Sequence, residues 1–91
     1  MAVAFVLISS ETGVEGEVLK RLLMLDCVSE VHVVYGVYDI LAKVESNSLP
    51  ELKETIERQI RYLDHVVATV PLLVAEPSLV TDKRVPVAQL P

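Results

Sequence analysis

Two segments with the character of β-strands flank a single glycine near the middle of this chain. The second of them, 38–45, alternates between apolar and polar residues, which places successive side chains on opposite faces of a strand. The first, 28–35, is dominated by valine, and Gly36 between them can adopt the positive φ that tight turns require. The pattern therefore predicts a β-hairpin with its turn at Gly36 and Val37. The buried face of the second strand is expected to carry Ile40, Ala42 and Val44.

An aspartate, Asp39, closes this predicted turn and begins the alternating strand. A carboxylate in such a place has two ordinary uses. It can hydrogen-bond the nearby backbone as a turn residue, or it can hold a small cationic group. The residues alone leave both interpretations open.

The rest of the chain predicts two more strands and two helices. Continuous apolar runs at 2–9 and 66–75 are typical of buried strands. Pro71 within the second run indicates a strand that lies at an edge or is broken there. Apolar residues recur at helical spacing in 14–25 and 49–63. The order β-α-β-β-α-β predicts a ferredoxin-like α+β fold, a four-stranded antiparallel sheet with two helices on one face.

Both predicted helices begin with a capping sequence. Thr12 followed by Glu15 predicts a capping box for the first helix, which is expected to start within a residue of Gly13. Ser48 followed by Glu51 predicts the same device for the second helix.

The apolar content of the chain exceeds what a small monomer can bury. It has 91 residues, of which 52% are apolar. A chain of this size buries only about 60% of the surface that it exposes when unfolded. Helices that cover one face of a sheet leave the other face bare, and a second copy is the simplest cover. The composition therefore predicts a homodimer at least.

Charge and hydropathy exclude several classes of partner. The net charge is −5, and the basic residues are scattered among acidic neighbours, so no direct contact with nucleic acid is expected. No apolar run reaches the roughly 20 residues that span a bilayer, and the N-terminus lacks the features of a signal peptide. The single cysteine, Cys27, allows no intramolecular disulfide. The expected location is the cytoplasm.

The residue types that carry chemistry are sparse. His32 and His65 lack the spacing of a metal site, and no metal or cofactor is expected. Cys27 has no recognisable base beside it and is interpreted as a small buried hydrophobic residue.

The central segment, Gly36 to Val44, resembles the G-x-Y-D-hydrophobic-x-x-x-V sequence of the RAM domain (regulation of amino acid metabolism). That domain binds effectors and drives oligomerisation in the Lrp/AsnC, or feast/famine, transcription regulators. The resemblance covers residues 2–76, so the expected boundaries are a RAM domain at 1–76 and a tail at 77–91. The chain begins at the first RAM strand. In this respect it resembles stand-alone RAM proteins that lack a helix-turn-helix.

The resemblance implies a function and a site. The function is non-catalytic amino-acid sensing, with the ligand held in clefts between dimers that assemble into octamers or decamers. Full-length Lrp/AsnC regulators are further implied partners. The implied ligand-binding residues are Gly36, Val37, Tyr38, Asp39, Ala68 and Thr69. The chain departs from many relatives at Pro71, where a hydroxyl residue is usual.

Two alternatives remain beside this reading. One is a small enzyme on the same fold, such as an acylphosphatase or a dimeric α/β-barrel monooxygenase. The loop 10–14 lacks the arginine that an acylphosphatase needs, and the only asparagine, Asn47, precedes the second helix. The other alternative is a partner subunit that binds full-length regulators and no ligand.

Overall fold

The chain folds in the predicted β-α-β-β-α-β order, and the computed structural model describes residues 1–75. The elements are β1 (Ala2–Ser10), α1 (Glu15–Leu23), β2 (Val28–Val33), β3 (Ile40–Ser46), α2 (Leu49–Thr55) and β4 (Val66–Leu73). A π-helical turn, Ile56–Ile60, continues α2. This is the predicted ferredoxin-like α+β fold. The predicted tail, 77–91, lies outside the described residues.

The four strands form one antiparallel sheet in the order β2-β3-β1-β4. Strand β1 is central and pairs with both β3 and β4, whereas β2 and β4 are the edges. Pro71 lies in β4 opposite Val6. The predicted edge position of this strand is confirmed, and it suits a residue that has no N–H to donate to an outer neighbour.

The core lies between the sheet and the helices. Every second residue of β1 and β3 points to the helices, because side chains alternate along a strand. The predicted inward residues of β3 are all fully buried, which confirms that face. The buried cluster comprises Ala4, Val6, Ile8, Val18, Leu22, Ile40, Ala42, Val44, Leu52, Ile56 and Ile60.

The sheet surface opposite the helices, called here the open face, is apolar along its centre. Residues directly opposite each other on paired strands share a face, and Leu7 is opposite both Leu41 and Val70. The apolar residues of the open face include Val3, Phe5, Leu7, Leu41, Ala68, Val70 and Leu72. Phe5 is 37% exposed and Leu72 is 51% exposed in the single chain.

The β2–β3 turn differs from the predicted two-residue form. The strand register centres the turn on Gly36 and Val37, as predicted, but β2 ends at Val33 and β3 begins at Ile40. Gly36 has φ of +155°, far from the roughly +60° that a tight turn of type II′ needs at its first position. The result is a wider loop.

The predicted N-caps of the two helices had different outcomes. Ser48 Oγ accepts a hydrogen bond from the Glu51 N–H at 3.3 Å, so Ser48 is the predicted N-cap. The Glu51 carboxylate accepts from the Ser46 hydroxyl at 3.1 Å and does not complete the box.

At α1 the predicted capping box of Thr12 and Glu15 is wrong. Val14 is the N-cap and no side chain caps it, while Glu15 Oε1 accepts from the Gly13 N–H at 3.3 Å. Gly13 has φ of +88°, so the chain turns between Thr12 and the helix. This turn explains why the threonine hydroxyl does not reach the helix start.

Within residues 1–75, no helix has the length and apolar character to cross a lipid bilayer.

Leu22 and Leu23 offer a matched test of the core. Leu22 is fully buried, whereas its neighbour on α1 is 63% exposed. We expect Leu22→Ala to lower the free energy of unfolding by about 2–5 kcal/mol, because it leaves a cavity under the helix. Leu23→Ala should change it by less than about 0.5 kcal/mol. Urea unfolding followed by circular dichroism measures both, and equal losses would contradict the assigned core.

Cys27 packs partly against the core, and burial raises the pKa of its thiol. A raised pKa leaves less thiolate at neutral pH, and the thiolate is the reactive form. We therefore expect a disulfide reagent to label the native protein more slowly than the urea-unfolded chain. The native rate should rise as the pH is raised through the thiol pKa. Equal native and unfolded rates at neutral pH would be evidence against this environment.

Candidate functional site

The backbone of Asp39 is held from two sides at the start of β3. Its N–H donates to the Ile8 carbonyl at 3.0 Å, and its carbonyl accepts from the Val34 N–H at 2.8 Å. These bonds attach the residue to both the central strand β1 and the hairpin partner β2. Asp39 therefore extends the regular pairing by one residue and has a defined position at the end of the sheet.

The Asp39 side chain is half-buried and uses one of its two oxygens within the chain. Its Oδ2 accepts from the Ser10 N–H at 2.9 Å and, more weakly, from the Ser10 hydroxyl at 3.4 Å. No hydrogen bond within residues 1–75 engages Oδ1. The carboxylate thus tethers the end of β1 with one oxygen and retains the other for a further donor, so the two uses considered for Asp39 are compatible.

The loop before Asp39 presents unpaired backbone donors. No backbone acceptor within the described residues takes the N–H of Gly36, Val37 or Tyr38. Val37 is 88% exposed, whereas Tyr38 is half-buried. Successive free N–H groups can bind an anionic group. The structure therefore brings together four of the residues that were predicted to form the site.

The two predicted residues of β4 lie apart from this loop. Ala68 is opposite Ser9, on the far side of β1 from Asp39. Two strand spacings, roughly 9–10 Å, separate them. Thr69 is opposite the buried Ile8, so its side chain belongs to the helix-covered face. Within one chain, Thr69 and Asp39 do not share a surface.

The sequence did not point to Ser10, which contacts Asp39, or to Glu11 and His65, which contact each other next to Ser10. The Glu11 N–H donates to the His65 carbonyl at 2.9 Å, and His65 Nδ1–H donates to Glu11 Oε2 at 2.5 Å. The partners are 54 residues apart in sequence, and Ser10 is 29 residues from Asp39. No local pattern signals such contacts, since the first arises when β1 pairs with β4 and the second when β1 pairs with β3.

One margin of the open face is charged. Glu30 lies opposite Lys43, with 3.5 Å between its carboxylate and the ammonium, and His32 Nε2–H donates to Glu30 at 3.2 Å. The hydrogen bond from His32, and next the charge of Lys43, lower the pKa of the Glu30 carboxyl. The open face therefore combines an apolar centre with a polar margin, as interfaces often do.

Two concavities of the single chain lie away from Asp39. One of about 260 Å³ opens on the open face and is lined by Met1, Val3, Phe5, Lys43, Glu45 and Val74. Another of about 270 Å³ adjoins α2 and is lined by Ser46, Glu51, Glu54, Thr55, Arg58 and Gln59. Neither includes a residue of the predicted site.

Comparison with known proteins assigns the chain to a family. Residues 3–78 match the family model described as the Lrp/AsnC ligand binding domain. No curated protein is significantly similar in sequence.

Solved structures support the same assignment. FFRP-DM1 is 36% identical, with a TM-score of 0.79 over 81% of this chain and 99% of that chain. The hypothetical protein PHS023 from Pyrococcus horikoshii is also 36% identical, with a TM-score of 0.77 over 81% of this chain and 89% of its own.

A more distant structure shares the fold. The transcriptional regulator NMB0573 from Neisseria meningitidis, solved as a complex with L-Met, is 13% identical with a TM-score of 0.76. The match covers 93% of this chain and 56% of the regulator, so the present chain corresponds to about half of that protein. The family match over 3–78 and the 36% identical structures show that this chain belongs to the Lrp/AsnC ligand-binding domain family, the RAM-type regulatory module.

Proposed function

We propose that this chain is a non-catalytic module that senses a free amino acid and assembles with copies of itself. The single observation that carries this proposal is that, within residues 1–75, neither Oδ1 of Asp39 nor the N–H groups of residues 36–38, which directly precede it in the chain, have a hydrogen-bond partner. A cation acceptor and anion donors in one place match the ammonium and carboxylate that every free amino acid carries.

The chemistry of this pairing favours binding. The ligand ammonium would donate to Asp39 Oδ1, and a hydrogen bond to a charged group contributes about 1.5–3 kcal/mol. The ligand carboxylate would accept from the backbone of Gly36, Val37 and Tyr38. NMB0573, which shares the fold, was solved with L-Met, so methionine belongs among the first amino acids to test.

We propose that the remaining wall of the site comes from a neighbouring chain. Thr69 faces away from Asp39 within one chain, and Ala68 lies across β1 from it. Either residue could serve a ligand bound to a different chain. This arrangement supports a cleft between dimers, to which Asp39 of one chain and the β4 strand of another would contribute.

Assembly would proceed through two surfaces. The open face would pair with its counterpart in a second copy, because its apolar centre is otherwise left in water. The β2–β3 loop, with Tyr35 and Val37 almost fully exposed, would join such dimers into an octamer or decamer. An amino acid with higher affinity for one assembly state would shift the equilibrium toward that state. Full-length Lrp/AsnC regulators would respond by binding one assembly state more tightly than the other.

A ligand-free partner subunit is the second candidate. The observation that favours it is the bond from Ser10 to Asp39, which satisfies part of the carboxylate without any ligand. Pro71 favours it as well, since proline supplies neither a hydroxyl nor an N–H at the position where the family resemblance implies a hydroxyl residue.

The Asp39→Asn variant tests the ligand site. Asparagine keeps an oxygen for the Ser10 N–H but replaces the charged acceptor, so we expect amino-acid affinity to fall about 10- to 150-fold. Isothermal calorimetry with each of the twenty amino acids measures it. Asp26→Asn is the matched control, since it makes the same charge change at an exposed position before β2. Failure of the wild type to bind any amino acid would leave only the partner-subunit role.

A charge placed on the open face tests the dimer. Phe5→Lys would place an ammonium at the centre of the apolar contact, so we expect the variant to sediment as a monomer at micromolar concentration. Leu23→Lys adds the same charge on exposed α1, and we expect it to keep the wild-type mass. A wild-type protein that sediments as a monomer would overturn the proposed assembly.

A further inference from the structure

We propose that Glu11 and His65 form a clasp that positions the Asp39 carboxylate for its ligand. The clasp is the pair of reciprocal hydrogen bonds between these two residues, and it acts through Ser10. The inference rests on the proposed amino-acid site at Asp39 and adds positioning residues to it.

His65 has an unusual backbone. Its φ is +71°, and it is the only residue other than glycine with positive φ within the described part of the chain. Residues with a Cβ rarely adopt this conformation, and they hold it where the surroundings determine it. Such strain occurs preferentially near functional sites.

Two bonds to Glu11 hold this conformation. The His65 carbonyl accepts from the Glu11 N–H at 2.9 Å, and its imidazole Nδ1–H donates to Glu11 Oε2 at 2.5 Å. An ionised carboxylate only accepts, so this contact places a proton on Nδ1. The side chains are 44% and 57% exposed for His65 and Glu11. An exposed pair contributes little to global stability, so a local role is the better account of it.

The clasp lies next to an irregularity in the sheet. Ser9 is opposite Ala68 but Ser10 is opposite Val66, so β4 has one extra residue at this point. A bulge increases the local twist and redirects the residues beside it. The corner at His65 immediately precedes β4 and therefore sets where the end of β1 leaves the sheet.

The contacts form a continuous path to the candidate site. His65 holds Glu11, and the adjoining Ser10 donates its N–H to Asp39 Oδ2 at 2.9 Å. Fixing Oδ2 also fixes the direction in which Oδ1 points. Release of Glu11 would let the end of β1 move, and the carboxylate would lose the donor that orients it.

The test uses the 91-residue protein and two measurements. Amide hydrogen exchange by NMR reports the Ser10 N–H directly, and calorimetry reports affinity for the amino acid that binds the wild type most tightly. For Glu11→Ala we expect Ser10 exchange to rise about tenfold and affinity to fall about three- to tenfold. Glu11→Gln retains an oxygen acceptor for the imidazole, so it should restore most of both.

His65→Gly separates positioning from stability. Glycine accepts φ of +71° without strain, so we expect a melting temperature no lower than that of the wild type. The variant lacks the imidazole, so Ser10 exchange should still rise and affinity should still fall. If His65 had a purely structural role, the Ser10 exchange rate and the amino-acid affinity would both be unchanged in His65→Gly. Glu54→Ala is the matched control, because it removes an exposed carboxylate that pairs with Arg58 at 3.9 Å.

Each remaining outcome has one meaning. Ser10 exchange that is unchanged in Glu11→Ala, in a protein that binds an amino acid, would overturn the clasp alone. Faster exchange with wild-type affinity would overturn its positioning role. Absence of binding by the wild type would overturn the proposed function and the positioning role that rests on it.

Discussion

The structure depends on the packing of two helices against a single face of the sheet. Alternate residues of β1 and β3 supply the fully buried centre of the sheet's inner surface, from Ala4 to Ile8 and from Ile40 to Val44. The residues between them form the open face. Packing of both helices on the same face therefore creates the stable core of the chain. It also leaves the apolar surface through which we propose that the chain self-associates.

The candidate site lies where this layered arrangement ends. The end of β1, the start of β3 and the corner before β4 meet there, and each contributes a polar group. Asp39 occupies the junction because its backbone pairs with both neighbours of β3, and its side chain reaches Ser10 on one of them. The family match identifies a ligand-binding domain, and the geometry at Asp39 indicates which groups of the chain remain available to a ligand.

Local sequence signals predicted most of the fold. The alternation of Ile40, Ala42 and Val44 and the cap at Ser48 were correct because each depends on residues close in sequence. The Thr12 cap was wrong because Gly13 turns the chain before the helix begins. For the site, the residues from Gly36 to Asp39 are adjacent in sequence and were predicted as one group, whose role in ligand binding stays a prediction. The residues that hold Asp39 in place were not predicted, since Ser10, Glu11 and His65 meet only through strand pairing between distant segments.

The separation of Asp39 from Ala68 and Thr69 within one chain has a quantitative consequence for sensing. Under the proposed function, a ligand gains its second wall only after two chains meet, so ligand binding and assembly share one free-energy balance. The amino-acid level that half-fills the site then depends on how much of the protein the cell makes. Expression of the chain would set the threshold of the sensor as directly as the side chains that touch the ligand.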